Sequence, residues 1–144
     1  MTEIAFHFNA PDLAVYACRV TRKLLRRDRR VVIQAAPELL KHLDELLWNM
    51  SPHDFVAHCS AGDSAELWNA SPVLLTTESM ATPHRDVLLN LHDEIPGNFG
   101  RFQELIEIVG VESGAHRDAA RQRWKHYRER GYKLVQHDLA KKEA

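Results

Sequence analysis

The sequence predicts an α/β fold, a mainly parallel, Rossmann-like sheet with helices on both faces, in a single domain spanning residues 1–144. Three observations predict it. Short apolar runs of strand length alternate with segments of helical period, about 12 to 18 residues each. One of the runs, Val31 to Ala35, is apolar at every position but Gln34, as in a strand covered on both sides. No internal repeat, low-complexity tract or linker interrupts the alternation.

Taken in order, Glu3 to Phe8 reads as an opening strand. Pro11 suits the start of a helix, and Leu13, Ala17, Val20 and Leu24 then recur at i, i+4, i+7 and i+11. That helix is expected to run to about Arg27, where a basic last turn opposes the negative end of the helix dipole. After the strand at Val31 to Ala35, Pro37 opens a second helix with Leu39, Leu40, Leu43, Leu46 and Leu47 facing inward. Strands are expected at Phe55 to His58, Val73 to Thr76 and Val87 to Leu91, separated by turn-rich stretches at 60–64 and 78–85. Pro96 and Gly97 precede a short helical segment around Phe99 to Phe102 and a strand at Leu105 to Val109. Ser113 is the expected cap of the last long helix, and Gly131 its terminating C′ residue. Tyr132 to Gln136 reads as extended, and residues 140–144 as a fraying tail.

At 144 residues, with 44% hydrophobic and 27% charged side chains, the chain can bury a substantial core. Its longest apolar runs are strand-sized, far short of a membrane span. The N-terminus lacks the basic segment, apolar run and cleavage site of a secretory signal. The two cysteines, Cys18 and Cys59, form no CxxC pair, so a reduced, cytoplasmic protein is expected. The net charge of −1 conceals an uneven distribution. From Arg117 to Lys133 the chain carries Arg117, Arg121, Arg123, Lys125, Arg128, Arg130 and Lys133 against only Asp118 and Glu129. A second basic cluster spans Arg22 to Arg30. This pattern suits a local site for an acidic partner rather than general polyanion binding.

A parallel sheet invites a nucleotide site in the loops that follow its strands. Asn9-Ala10-Pro11-Asp12 and Ala36-Pro37-Glu38 carry none of the glycines that let a backbone approach a pyrophosphate, and GxxxxGK[ST] is absent. No cofactor is therefore expected. His53 and His58 flank a strand, with Cys59 adjacent, yet HExxH, CxxC and other metal spacings are missing, so His58 reads as a hydrogen-bonded histidine and no metal is expected. No GxSxG supports a nucleophile. Arg85-Asp86 reads as a structural pair at a strand entrance. No catalytic residue stands out; the rival reading is an α/β enzyme using His58 or Cys59.

Two features exceed what a plain core requires. Trp48 points roughly 140° away from the inward leucines of the second helix. Either the segment Met50 to Phe55 folds back over it, or Trp48, Pro52 and Phe55 form an apolar patch for a partner. On the last helix, Ala120, Trp124 and Tyr127 share one face, while Arg117, Arg121, Lys125 and Arg128 form an adjoining basic stripe. Three readings of that stripe stay open: a solvated face, a site for an acidic peptide or terminal carboxylate beside an apolar pocket, and direct nucleic-acid binding.

The sequence resembles the chi subunit family of bacterial DNA polymerase III from about Ile4 to Leu139. The resemblance is densest at Leu43-Asp44 with Leu47-Trp48, Phe55-Val56-Ala57-His58, Ala61-Gly62 and Pro72-Val73. It continues through Arg85-Asp86-Val87-Leu88-Leu89-Asn90-Leu91 and the block Ala120 to Arg128, closed by Gly131-Tyr132. It implies a Rossmann-like fold without nucleotide chemistry, in a non-catalytic, replisome-associated accessory subunit of a DNA-directed DNA polymerase. It also implies two partners: the acidic C-terminal tail of single-stranded DNA-binding protein, and psi, which joins chi to the clamp loader. By matching position, the tail site is Arg117, Arg121, Trp124 and Lys125 with Val109 lining the pocket, and Arg128 extends its basic stripe. Trp48 and Phe55, with Pro52, match the psi-facing patch, which in some members serves a repair helicase. DNA is then contacted mainly indirectly. The alternatives are a helicase-associated repair adaptor using the same patch and a direct nucleic-acid-binding protein. Some members have Lys and Tyr where this chain has Arg117 and Trp124, and His7 stands where an aromatic is frequent.

Overall fold

The computed structural model describes residues 2–49, 58–60, 71–77, 84–111 and 114–141. Seven strands form one sheet: β1 (Glu3–Ala10), β2 (Val31–Gln34), β3 (His58–Ser60), β4 (Val73–Thr76), β5 (Val87–Asn90), β6 (Glu104–Gly110) and β7 (Leu134–Asp138). The helices among the described residues are α1 (Leu13–Arg26), α2 (Pro37–Asn49) and α3 (Ala115–Glu129), with single 3-10 turns at Phe99–Arg101 and Leu139–Lys141. The order across the sheet is β3-β4-β2-β5-β6-β1-β7, and every pairing among the described strands is parallel. All the strands therefore end at the same edge of the sheet.

Alternation along the strands divides the core into two layers. Val31, Ile33, Val73, Leu75, Val87, Leu89, Ile106 and Ile108 point to one face, which α1 and α2 cover with Ala14, Ala17, Leu24, Leu43 and Leu47. Ile4, Phe6, Val32, Leu74, Leu88, Leu105 and Val109 point to the other, where Ala120 and Tyr127 of α3 pack. The expected helices on both faces are thus present: among the described residues, α1 and α2 lie on one side and α3 on the other. A bulge in β1 shifts its register against β6 between His7 and Ala10. Asn9 takes the left-handed conformation there (φ 64°), which Asn tolerates better than most residues. The extra residue turns Ala10 onto the α1 face, while Phe8 stays on the α3 face.

Local chemistry sets the element ends. Helix α1 begins at Leu13, two residues after Pro11, because Asp12 is extended and its carboxylate caps the helix by accepting the Val15 N–H at 3.1 Å. It ends with Asp28 at φ 58°, where the Arg29 N–H reaches Leu24 O and the Asp28 N–H reaches Leu25 O. Helix α3 closes the same way at the expected Gly131 (φ 85°), with Tyr132 N–H on Tyr127 O and Gly131 N–H on Arg128 O. That turn holds Tyr132 against Phe99 and Tyr127 and moves the last strand two residues later than expected, to Leu134–Asp138. At the N-terminus of α3 the cap position is Gly114; the expected cap, Ser113, lies outside the described residues. So do Phe55, Val56 and Ala57 of the expected third strand, which is observed from His58 to Ser60, and residues 142–144 of the expected tail at 140–144. At the strand entrance the Asp86 carboxylate accepts the Arg30 backbone N–H at 2.8 Å and the Asp86 carbonyl accepts from Arg29 at 3.1 Å. Asp86 thus joins β5 to the start of β2.

Candidate functional site

Helix α3 has a buried face and a basic one, and the two are built differently. The buried face carries Ala120, Arg123 and Tyr127 at i, i+3 and i+7. Arg123 is 2% exposed, and the residue it meets, Glu107 in the middle of β6, is fully enclosed. Arg123 Nε donates to Glu107 Oε2 at 3.1 Å, the Tyr127 hydroxyl donates to the same oxygen at 2.6 Å, and Asn90 Nδ2 donates to Oε1 at 2.8 Å. All three neighbours donate, so both carboxylate oxygens act as acceptors. Burial pushes the Glu107 carboxyl up from its usual range, against the pull of Arg123, Tyr127 and Asn90 towards the anion. Burial also raises the Tyr127 hydroxyl, with the Glu107 carboxylate adding to the effect, so it stays protonated and donating. Arg123 Nη1 donates to the Asp93 carbonyl at 2.7 Å, while Nη2 has no partner among the described residues.

A second clamp holds the first turn of α3. His116 Nε2 accepts the Gly110 N–H at 3.2 Å, which leaves the ring proton on Nδ1 to be donated to the Asp93 carboxylate at 2.6 Å. Two residues of α3, His116 and Arg123, therefore grip the loop after β5 at Asp93. These contacts fix the rotation of the helix about its axis, and with it the direction of every side chain on the other face.

On that other face a pocket of about 240 Å³ opens between α3 and the sheet, lined by Phe6, Phe8, Val109, Arg117, Ala120, Arg121, Trp124 and Gln136. Its volume is below the roughly 300–1,000 Å³ of a small-molecule site and suits one large side chain. The floor is apolar. Phe6 meets Trp124 edge-on with ring centroids 5.1 Å apart and leans on Tyr127 at 6.0 Å. Parallel register sets Phe6 of β1 beside Gln136 of β7 and Glu107 of β6, with Phe8 and Val109 nearer the strand ends. Arg117 and Arg121 stand one turn apart at the border of this floor. Arg117 forms no ion pair among the described residues, and Arg121 has only a 3.8 Å contact with Asp118 in which both side chains are about three-quarters exposed. Such a contact is weak and leaves the guanidinium available.

The family comparison bears directly on these residues. The chain matches the model of the DNA polymerase III chi subunit (HolC) family over residues 1–135, which include all of α3 and the whole pocket lining except Gln136. The chain belongs to the DNA polymerase III chi subunit family. It is 38% identical to the Pseudomonas aeruginosa DNA polymerase III subunit chi over 124 residues, covering 85% of this chain and 84% of that one. The Haemophilus influenzae chi subunit is 29% identical over 120 residues, 82% of this chain and 81% of its own length. The Escherichia coli chi subunit is 29% identical over 119 residues, 81% and 79% respectively. The chain is thus an accessory subunit of a replicative DNA polymerase complex.

Four of the six residues assigned to a tail site, Arg117, Arg121, Trp124 and Val109, come together in one pocket. The other two stand outside its lining. Arg128 is exposed further along α3, and Lys125 lies over the crest of the helix, in a separate groove with Glu129, Asp93 and Ile95. The second set divides differently. Trp48 is 52% exposed at the end of α2, turned away from the buried Leu43 and Leu47 as the helical spacing predicts. Pro52 and Phe55 lie outside the described residues, as do the side chains of His58 and Cys59. Cys18 is a free, buried thiol whose pKa burial pushes up to about 11, with Asp12 adding to the rise, so it is a poor nucleophile.

The sequence reading missed Phe6, Phe8, Ala120 and Gln136 as pocket residues, and it counted Arg123 only among the cations of the basic stretch 117–133. A signal for Arg123 existed. It falls three residues after Ala120 and four before Tyr127 on the inward stripe, and Glu107 interrupts an otherwise apolar strand. An inward cation and an inward anion on adjacent elements call for each other.

Proposed function

We propose that this chi chain is a non-catalytic adaptor that binds the acidic C-terminal tail of single-stranded DNA-binding protein in the pocket between α3 and the sheet. One observation carries the reading: two arginines with no strong partner among the described residues border an apolar pocket sized for a single side chain. Arg117 and Arg121 hold the carboxylates of the tail, and its terminal ring sits on Phe6, Val109 and Trp124. Charge-assisted bonds supply the cationic part of the affinity, roughly 1–3 kcal/mol each. Burial of the ring supplies the rest. Arg128 and Lys125, outside the pocket, attract the acidic stretch that precedes the terminal residue. Micromolar binding is sufficient for such a device, because many tails on one coated strand add avidity.

The second contact is with the clamp loader, through psi, at the patch that includes Trp48 together with Pro52 and Phe55. Its support is the family match and the exposure of a tryptophan on the polar side of α2. On this reading DNA is reached through its coating protein, and the chain works at the replisome in the cytoplasm.

Calorimetric titration of a synthetic tail peptide into the wild-type chain and into Arg121→Ala tests the tail site. The expected outcome is a loss of about tenfold in affinity, or about 1.4 kcal/mol, in the variant. Equal affinities would remove α3 from the site.

A further inference from the structure

The donor and acceptor inventory of the pocket is lopsided. Arg117, Arg121 and the Trp124 indole can only donate hydrogen bonds, while Phe6, Phe8, Val109 and Ala120 offer no polar side-chain atom. Gln136 is the only side chain in the lining that can accept. The sheet backbone does not supply a substitute. The amides and carbonyls of β1 are engaged on both sides by β6 and β7, and those of the edge strand β7 lie in the plane of the sheet rather than on the pocket face. Asp118, the nearest carboxylate on α3, is outside the lining and would repel an acidic ligand.

A peptide end placed here brings both kinds of group. Its carboxylate accepts and is served by the arginines. The N–H of its last residue donates, and covering it without an acceptor is costly. We infer that Gln136 is a specificity-determining residue of the tail pocket, its side-chain carbonyl accepting the main-chain N–H of the peptide's last residue. Gln136 suits the task. Its side chain is exposed and makes no hydrogen bond within the described residues, and it stands beside Phe6 in the parallel register, on the same face. The arginines then select for negative charge, the apolar floor for a ring, and Gln136 for a correctly placed peptide end. This inference rests on the tail-binding reading above.

The test uses the full chain and a defined probe, tetra-aspartyl-phenylalanine with a free carboxylate, alongside its analogue methylated on the phenylalanine nitrogen. Gln136→Met keeps the length and removes the acceptor, and its exposed edge position leaves the thermal midpoint unchanged. The expected result is a fivefold to tenfold weaker affinity for the probe in Gln136→Met. A similar loss is expected for the methylated probe on wild type, with little further loss when both changes are combined. A purely steric role for Gln136 would instead give independent losses that multiply. Wild-type affinity in Gln136→Met, or multiplying losses, overturns the inference. Arg121→Ala separates the two levels. If it weakens the probe while Gln136→Met does not, the Gln136 assignment alone fails; if neither change matters, the tail reading fails with it.

Discussion

Arg123 and Arg121 sit two residues apart on the same helix, yet their circumstances are opposite. Arg123 is enclosed, with its guanidinium committed to Glu107 and to the Asp93 carbonyl. Arg121 is three-quarters exposed and holds only a loose contact with Asp118. The difference lies in what each faces. A 200° rotation along the helix turns one arginine into the sheet and the other to the pocket mouth. The buried arginine fixes where α3 lies; the exposed one is left to meet a partner. On the proposed function, one residue type thus serves stability and recognition from opposite faces of a single helix, and the second role depends on the first holding the helix in register.

The largest effect should come from breaking the buried side. Arg123→Ala leaves Glu107 enclosed without its counter-charge and should cost about 3–5 kcal/mol of folding stability, read from denaturant unfolding. Replacing both partners, with Arg123→Met and Glu107→Leu together, should recover much of that loss, because no unpaired charge remains. If the single change is mild, the buried pair does not fix α3.

Next comes the exposed side. Removing both recognition arginines, Arg117→Ala with Arg121→Ala, should weaken tail binding by about 2–3 kcal/mol while stability stays within about 0.5 kcal/mol of wild type. A stability loss as large as that of Arg123→Ala would erase the distinction. A smaller expected effect comes from salt. Raising ionic strength from about 0.05 to 0.5 M should lower tail affinity severalfold, because exposed charges are screened, and should scarcely touch the Arg123–Glu107 pair. Equal sensitivity of binding and stability would place the two sites in similar surroundings.

The smallest effect involves a buried group that, unlike arginine, can shed its charge. His84 is 4% exposed and its Nε2 donates to the Ser71 carbonyl at 2.6 Å. Burial lowers its pKa, although the hydrogen bond to Ser71 and the nearby Asp86 oppose the shift. The unfolded chain then takes up a proton more readily than the folded one. Stability should fall as pH drops below the ordinary histidine value of about 6.5 and go on falling towards the lowered folded value. A pH series of unfolding midpoints with His84→Gln as control checks this; an unchanged slope in the variant would assign the effect elsewhere.

Much of this arrangement was legible before any coordinates. Val31 to Ala35, apolar but for Gln34, declared a central parallel strand, and the leucines of α2 declared which way Trp48 must point. The basic stripe and Trp124 marked one side of α3 as a candidate site because helical periodicity converts spacing into direction. What stayed hidden depends on which residues meet across elements. Glu107 and Arg123 are 16 positions apart and pair only because β6 and α3 stack. Phe8 and Gln136 reach the same pocket because β1 pairs with β7 and because a bulge at Asn9, not before it, leaves Phe8 on the α3 face. Neither event has a local periodic signature. The cap at Asp12 was readable in principle, since Asp directly precedes the apolar stripe of α1, but Pro11 competed for the same end.

The central claim is that the α3 pocket reads the end of a tail rather than DNA itself. Equilibrium binding of this chain to single-stranded DNA coated with intact single-stranded DNA-binding protein, compared with the same protein lacking its final residues, tests that most directly. Binding to the intact coat and its near-complete loss on truncation is the predicted result. Equal binding to both, or tight binding to the bare strand, would contradict it.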